Sequence, residues 1–220
     1  MNVFAIDGAL GGFSSALAVR GEIVATGSDD GSVALESGLA LIAEVMAQAQ
    51  VNAAELDRLA VGTGPGGFTG LRIAIAYAKS LALAWARPLV GVSSFDVLEY
   101  GRDLHRVLTI VAGRPGVISA RYRNGREVRR ASGRTREVLA TILPRDREPL
   151  PVIGASEDAL AALGERRCVV QALDPLFVPA AAAALAATSR EPTPSLHAVR
   201  ADYGELPAAK VPSYSKRTRR

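Results

Sequence analysis

One cysteine, two histidines, two methionines and one tryptophan in 220 residues leave several chemistries without material. Cys168 has no second cysteine to pair with, so no intramolecular disulfide braces the fold. His105 and His197 lie far apart, with no second histidine three or four residues away, so no zinc or iron motif is readable and no metal is expected. No apolar run reaches about 18 residues, the length a bilayer demands. Even the stretch 71–86 is broken by Arg72 and Lys79, so no membrane span is expected. The opening MNVFAIDGAL has neither the basic start nor the long apolar core of a secretory signal, and a cytoplasmic location is the expectation. Ser93 and Ser94 follow a strand-like run but lack the G-x-S-x-G elbow, which leaves a serine hydrolase without support. Cys168 sits in an apolar strand-like run and reads as a small hydrophobe rather than a reactive thiol.

What is present describes a globular α/β chain. Hydrophobic residues at 49% and charged residues at 22% exclude disorder of the whole, and the length suffices for two small lobes. The formal charge of +4 is modest but uneven. Arg121, Arg123, Arg126, Arg129, Arg130, Arg134 and Arg136 crowd one stretch, and the chain ends in KRTRR.

Residues Asn2 to Asp7, Phe13 to Val19 and Glu22 to Gly27 read as a meander of three strands. A helix at Gly38 to Gln50, a strand at Leu56 to Gly62, a long helix from about Thr69 to Trp85, a strand at Pro88 to Val92 and a short helix at Ser93 to Tyr100 follow. The pattern then begins again. Strands are predicted at Arg106 to Ala112, Val117 to Arg123 and Arg126 to Arg130, the last two joined by a turn at Asn124-Gly125. Helices at Arg134 to Leu143, Glu157 to Leu163 and Asp174 to Thr188 alternate with strands at Leu150 to Ile153 and Cys168 to Gln171. Two such units predict an α/β protein of two lobes, each a mixed sheet flanked by helices. The expected division is 1–102, 103–191 and a C-terminal segment 192–220 whose proline pairs read as linkers and whose basic end reads as disordered.

The most informative stretch is LAVGTGPGGFTGLR, from Leu59 to Arg72. A strand ends at Gly62, and Gly64, Gly66, Gly67 and Gly70 supply backbone freedom and close approach. Thr69 can cap the following helix, whose first N–H groups suit an anion. The spacing is not that of a P-loop, because no lysine follows until Lys79. Residue chemistry alone leaves two readings open: a ligand loop, or a tight crossing from strand to helix.

GPGGFTGLR resembles the GPGSFTGLR signature of the TsaB (YeaZ) family, with Gly67 where serine is usual. The surrounding LAVGTGPGGFTGLRIAIAYAKSLALAWARPLVGVSS is similar almost position by position, and AIDGALGGFSSALAV resembles the family's start, with Gly8 where threonine is expected. The likeness is strong over residues 1–100 and fainter to Ala187. It implies the actin-like (ASKHA) fold shared with sugar kinases and Hsp70. It further implies a non-catalytic subunit needed for threonylcarbamoyl transfer to adenosine 37 of tRNA, acting with a paralogous TsaD-like transferase and a small TsaE-like ATPase. Alone, such a chain is expected to form a homodimer, to need no cofactor, and to meet tRNA at most indirectly. The alternative is a minimal actin-like ATPase or carbohydrate kinase. Relatives of that kind hold Mg-nucleotide with an acid at the first strand of each lobe. Asp7 fills the first position, but LTIVAGRPG puts Ala112 where family members often carry aspartate. Asp7 therefore reads first as a structural residue bonded to nearby loop N–H groups, with metal or nucleotide contact as the other reading.

Two surfaces stand out. On the long helix, Ala74, Tyr77, Ala78, Leu81 and Trp85 share the expected core face, while Arg72 and Lys79 mark the opposite one. That outer face also carries Ile75, Ala76, Ala82, Leu83 and Ala86, and with Leu39 and Ile42 of the preceding helix it is the expected docking surface. Arg126, Arg129 and Arg130 are the candidate RNA contacts, although an ordinary solvated strand face is built the same way and only Tyr122 supplies an interleaved aromatic.

Overall fold

The computed structural model describes residues 1–29, 34–146, 148–164 and 168–204. Strands β1 (Asn2–Asp7), β2 (Phe13–Val19), β3 (Glu22–Asp29), β4 (Arg58–Gly62) and β5 (Leu89–Val92) form one sheet in the order β3-β2-β1-β4-β5. Strands β6 (Arg106–Ala112), β7 (Val117–Asn124), β8 (Glu127–Arg134), β9 (Leu150–Ile153) and β10 (Cys168–Gln171) form the other in the order β10-β9-β6-β7-β8. Both sheets therefore place the first strand of their unit at the centre, with an antiparallel meander on one side and two parallel strands on the other. Helices α1 (Ala34–Ala49), α2 (Phe68–Ala84) and α3 (Ser94–Glu99) belong to the first repeat, and α4 (Thr135–Ile142), α5 (Glu157–Leu163) and α6 (Pro179–Ala187) to the second. None of the helices among the described residues is long and apolar enough to cross a membrane.

Strand β1 is apolar from Val3 to Ile6 because both of its faces are covered. Phe4 and Ile6 share a core with Leu71, Ala74 and Ala78 of α2 and Val45 of α1, while Val3 and Ala5, pointing the other way, share one with Ala180, Ala183, Ala184 and Ala187 of α6. The alanines of α6 let its backbone lie close to the sheet. Strand β7 divides differently. Ile118, Ala120 and Tyr122 pack under α4 and α5, whereas Ser119, Arg121 and Arg123 turn to the opposite side, toward α3.

The structure departs from the sequence expectations at three places. Helix α6 begins at Pro179 rather than Asp174, because Pro179 takes the first helical position and holds Val178 in the extended region. Residues from Asp174 make a turn instead, with the N–H groups of Leu176 and Phe177 donating to the Asp174 carboxylate and carbonyl. The β7–β8 turn is Gly125-Arg126, since Asn124 pairs with Glu127. Gly125 takes a φ of +57° there and donates its N–H to the His105 carbonyl. Lastly, α6 falls inside 103–191 but packs on the first sheet, and the stretch 192–194 is bonded to that sheet. Thr193 donates its N–H to Leu89, Val199 is buried in the first core, and Asp202 donates its N–H to the Thr63 carbonyl. The expected linker 207–212 and basic end 213–220 lie outside the described residues.

Candidate functional site

Strand β4 ends at Gly62 beside the end of β1, and residues 63–67 lead directly into α2. The loop is pressed against the turn after β1. A Cβ on Gly70 would overlap the Gly8 carbonyl, and one on Gly66 would overlap the Ala9 carbonyl. Gly67 donates its N–H to Ala9 at 2.9 Å and is the N-cap of α2, with no side chain to cap it. Thr69, expected to cap, stands instead in the first turn of the helix and is exposed, because the helix starts at Phe68. Gly64 alone among the motif's glycines has a positive φ, +91°. Its Cα lies against the backbone of Asp202, so the C-terminal segment closes over the loop.

Asp7 is 1% exposed. Its Oδ1 accepts N–H bonds from Ala9 at 2.9 Å and Leu10 at 3.1 Å, while Oδ2 is buried against Gly62 with no partner. Burial pushes its pKa up to about 6, against the opposing pull of the Leu10 and Ala9 N–H bonds. Asp7 thus orders the loop that Gly66 and Gly70 touch. Ala112, at the corresponding end of β6, is exposed and offers no carboxylate. Among the described residues no group of three or more His, Cys, Asp or Glu is placed to hold a metal ion.

The proposed docking residues separate into two sets. Leu83 is 75% exposed and Leu39 53%, and Arg72, Ala76 and Ala86 are exposed beside them, with Lys79 half-buried. Ile42, Ile75 and Ala82 are a correction: all three are buried in the chain's own first core, at 4%, 7% and 2% exposure. Ile75 shares that core with Val199, so the returning C-terminal segment covers the flank that sequence periodicity leaves bare. An apolar groove of about 570 Å³ runs between α1 and α2, lined by Leu39, Ala43, Met46, Leu81 and Trp85.

The arginine-rich stretch is more occupied than its composition suggests. Arg121 is buried, paired with Asp96 at 2.5 Å and Glu99 at 3.0 Å, and Arg123 bonds the other Glu99 oxygen at 2.9 Å. Arg190, just after α6, reaches Asp96 at 2.9 Å. Together these side chains clasp α3 of the first repeat to β7 of the second. Nothing in the sequence announced this cluster, apart from the acids three residues apart on a short helix. Of the three candidate RNA contacts, Arg126 is exposed at the hairpin tip. Arg129 pairs with Glu127 and lies 4.5 Å over the Tyr122 ring, and Arg130 lies 5.6 Å over Phe95.

Two sheets of identical strand order, joined through α3 and α6 and carrying a glycine loop at the end of the first central strands, define a two-lobed protein of the actin-like class. YeaZ from Pseudomonas aeruginosa has this architecture, with a TM-score of 0.73 at 22% identity over 92% of this chain and 99% of that one. The ethanolamine utilization protein EutJ from Carboxydothermus hydrogenoformans shares it at a TM-score of 0.55 and 13% identity, over 84% of this chain and 89% of that one. A family model described as TsaD, tRNA N6-adenosine threonylcarbamoyltransferase, matches residues 35–202, and the chain belongs to that family, where TsaB (YeaZ) is the branch it resembles. The tRNA threonylcarbamoyladenosine biosynthesis protein TsaB of Escherichia coli is 32% identical over 84 residues, 36% of this chain and 36% of that protein. An uncharacterized protein of Mycobacterium tuberculosis strain H37Rv is 33% identical over 127 residues, 56% of this chain and 60% of that protein. The chain spans only 20% to 36% of the lengths of the first curated relatives it matches.

Proposed function

We propose that this chain acts in the biosynthesis of threonylcarbamoyladenosine in tRNA as an accessory subunit that docks on a paralogous TsaD-like transferase, with a TsaE-like ATPase as a further partner. The observation that carries the reading is the apolar surface of α1 and α2, where Leu39 and Leu83 stand exposed beside the groove ending at Trp85. Exposed apolar surface of this kind marks interfaces. Family membership names the process, and the ends of the two central strands, Asp7 on β1 but Ala112 on β6, favour an accessory rather than a catalytic part. The same surface serves a homodimer when no partner is present, and any tRNA contact passes through the assembly. The test is genetic and biochemical together. Deleting the chain from a strain with no second copy lowers the threonylcarbamoyladenosine content of bulk tRNA, and the tagged chain retains the transferase from the same cells. Unchanged nucleoside in the deletion strain would sink the reading, as would metal-dependent ATP turnover by the purified chain that disappears in Asp7→Asn.

A further inference from the structure

In the second repeat, a cavity of about 780 Å³ opens between the β6–β7 turn, the start of α4 and α5. Three guanidinium-bearing residues line it: Arg114 from the turn, and Arg134 and Arg136 from the two sides of the helix start. Helix α4 has Arg134 as its N-cap, and no side chain caps it. Its first N–H, that of Thr135, is taken up by the Gly116 carbonyl, at 3.0 Å. Arg136 and Glu137, in the same first turn, line the cavity, and the N–H groups of a first helical turn have no acceptor within the helix. Thr135 itself is 7% exposed, lines the same cavity, and its Oγ1 is buried without a hydrogen-bond partner. A buried hydroxyl left unpaired carries a desolvation cost, so its position beside three arginines and an uncapped helix start needs an acceptor.

We propose that this cavity binds a phosphate group. A phosphate brings several acceptor oxygens and negative charge to a place that offers N–H donors, the positive end of a helix and forked guanidinium donors. Glu137 and Asp158 also line the cavity. Their negative charge opposes a dense polyanion, which favours one phosphate at a time. That phosphate comes either from a free phosphomonoester or from a single phosphodiester of an RNA strand, and the chemistry of the site is the same for both.

The test is calorimetric titration of the full chain with inorganic phosphate and, separately, with a six-nucleotide uridylate RNA. The expected result is saturable binding that weakens about tenfold or more in the double variant Arg134→Gln, Arg136→Gln, the loss of two charge-assisted contacts. Thr135→Val removes a hydroxyl that has no partner in the protein, so it leaves the circular dichroism and melting temperature unchanged while weakening the ligand several-fold. Should the double variant fail to fold, Thr135→Val decides alone. Saturation by phosphate itself identifies a free phosphate source, and saturation by the RNA only identifies the diester. Absence of saturable binding by both probes, or binding undiminished in every folded variant, overturns the proposal.

Discussion

At the scale of single residues, the glycines of the motif do different work. Gly66 and Gly70 are held against backbone carbonyls of Ala9 and Gly8, so Gly66→Val or Gly70→Val forces the two loops apart at a cost on the order of 3 kcal/mol. Gly67 has no such neighbour, the nearest atoms to a Cβ there being 3.9 Å away. Because Gly67 is the N-cap of α2 with a φ of −57° that any residue can adopt, Gly67→Ser fits and adds a capping oxygen, raising stability by roughly a few tenths of a kcal/mol. Thermal unfolding of the three variants checks both statements, and a destabilised Gly67→Ser would count against the cap geometry. Asp7 gives a pH dependence of unusual sign. Its folded pKa of about 6 exceeds the ordinary 3.8, so the native state holds the proton more tightly than the unfolded chain. The stabilisation this gives is complete below about pH 3.8 and is lost as pH rises toward 6. Asp7→Asn keeps the acceptor for Ala9 and Leu10 without the buried charge, and at pH 7 it is the more stable protein by up to about 3 kcal/mol. Urea titrations between pH 4 and 8 should show the difference closing on acidification. A wild type that is the more stable at pH 7 would mean the carboxylate has a cationic partner in solution.

At the scale of elements, α2 shows what periodicity can and cannot say. Its extent was legible from the apolar spacing and from Pro88, and the core positions Ala74 and Ala78 follow from 100° per residue. The width of the buried face was not, because Ile75 is covered by Val199 from more than a hundred residues away in the chain. The two faces now make opposite predictions. Leu83→Arg leaves the monomer within about 0.5 kcal/mol of wild type, since the side chain is 75% exposed. In an assembly it places a charge in a desolvated contact and costs about 2 kcal/mol or more. Ile75→Arg buries that charge inside the chain and costs about 3 kcal/mol or more of folding stability. Sedimentation with circular dichroism separates the cases: an undisturbed assembly in Leu83→Arg would move the interface elsewhere.

For the whole molecule, the clasp of Asp96, Glu99, Arg121, Arg123 and Arg190 holds the two repeats in one arrangement. Burial pushes the Asp96 pKa upward, but the hydrogen bond and charge of Arg121, with Ser93 and Arg190, outweigh it and hold the carboxyl below its usual range. Its contribution is therefore present above the ordinary carboxylate pKa and is lost as pH falls through the lowered value, the reverse of Asp7. Arg121→Met removes the central cation and leaves two acids short of a partner, at a cost of about 3 kcal/mol. Urea unfolding at neutral pH measures it, and a change of less than about 0.5 kcal/mol would show the clasp to be solvated and weak.

The local order of the chain was written in its sequence: alternation in the strands, helical spacing between them, prolines and glycines at their ends, and the glycine motif that marks the family. These signals are local because period and turn chemistry act over a few residues. Even there, Gly125-Arg126 displaced Asn124-Gly125 at a turn, since register is set by the pairing of whole strands. Which face each element buries was decided only by tertiary structure. Helix α6 crosses to the first sheet, residues 193–202 return to seal α2 and the glycine loop, and Arg121 turns inward to meet α3. Each of these pairs residues far apart in the chain, and burial of apolar area rewards whichever surface arrives, leaving no periodic trace in either partner.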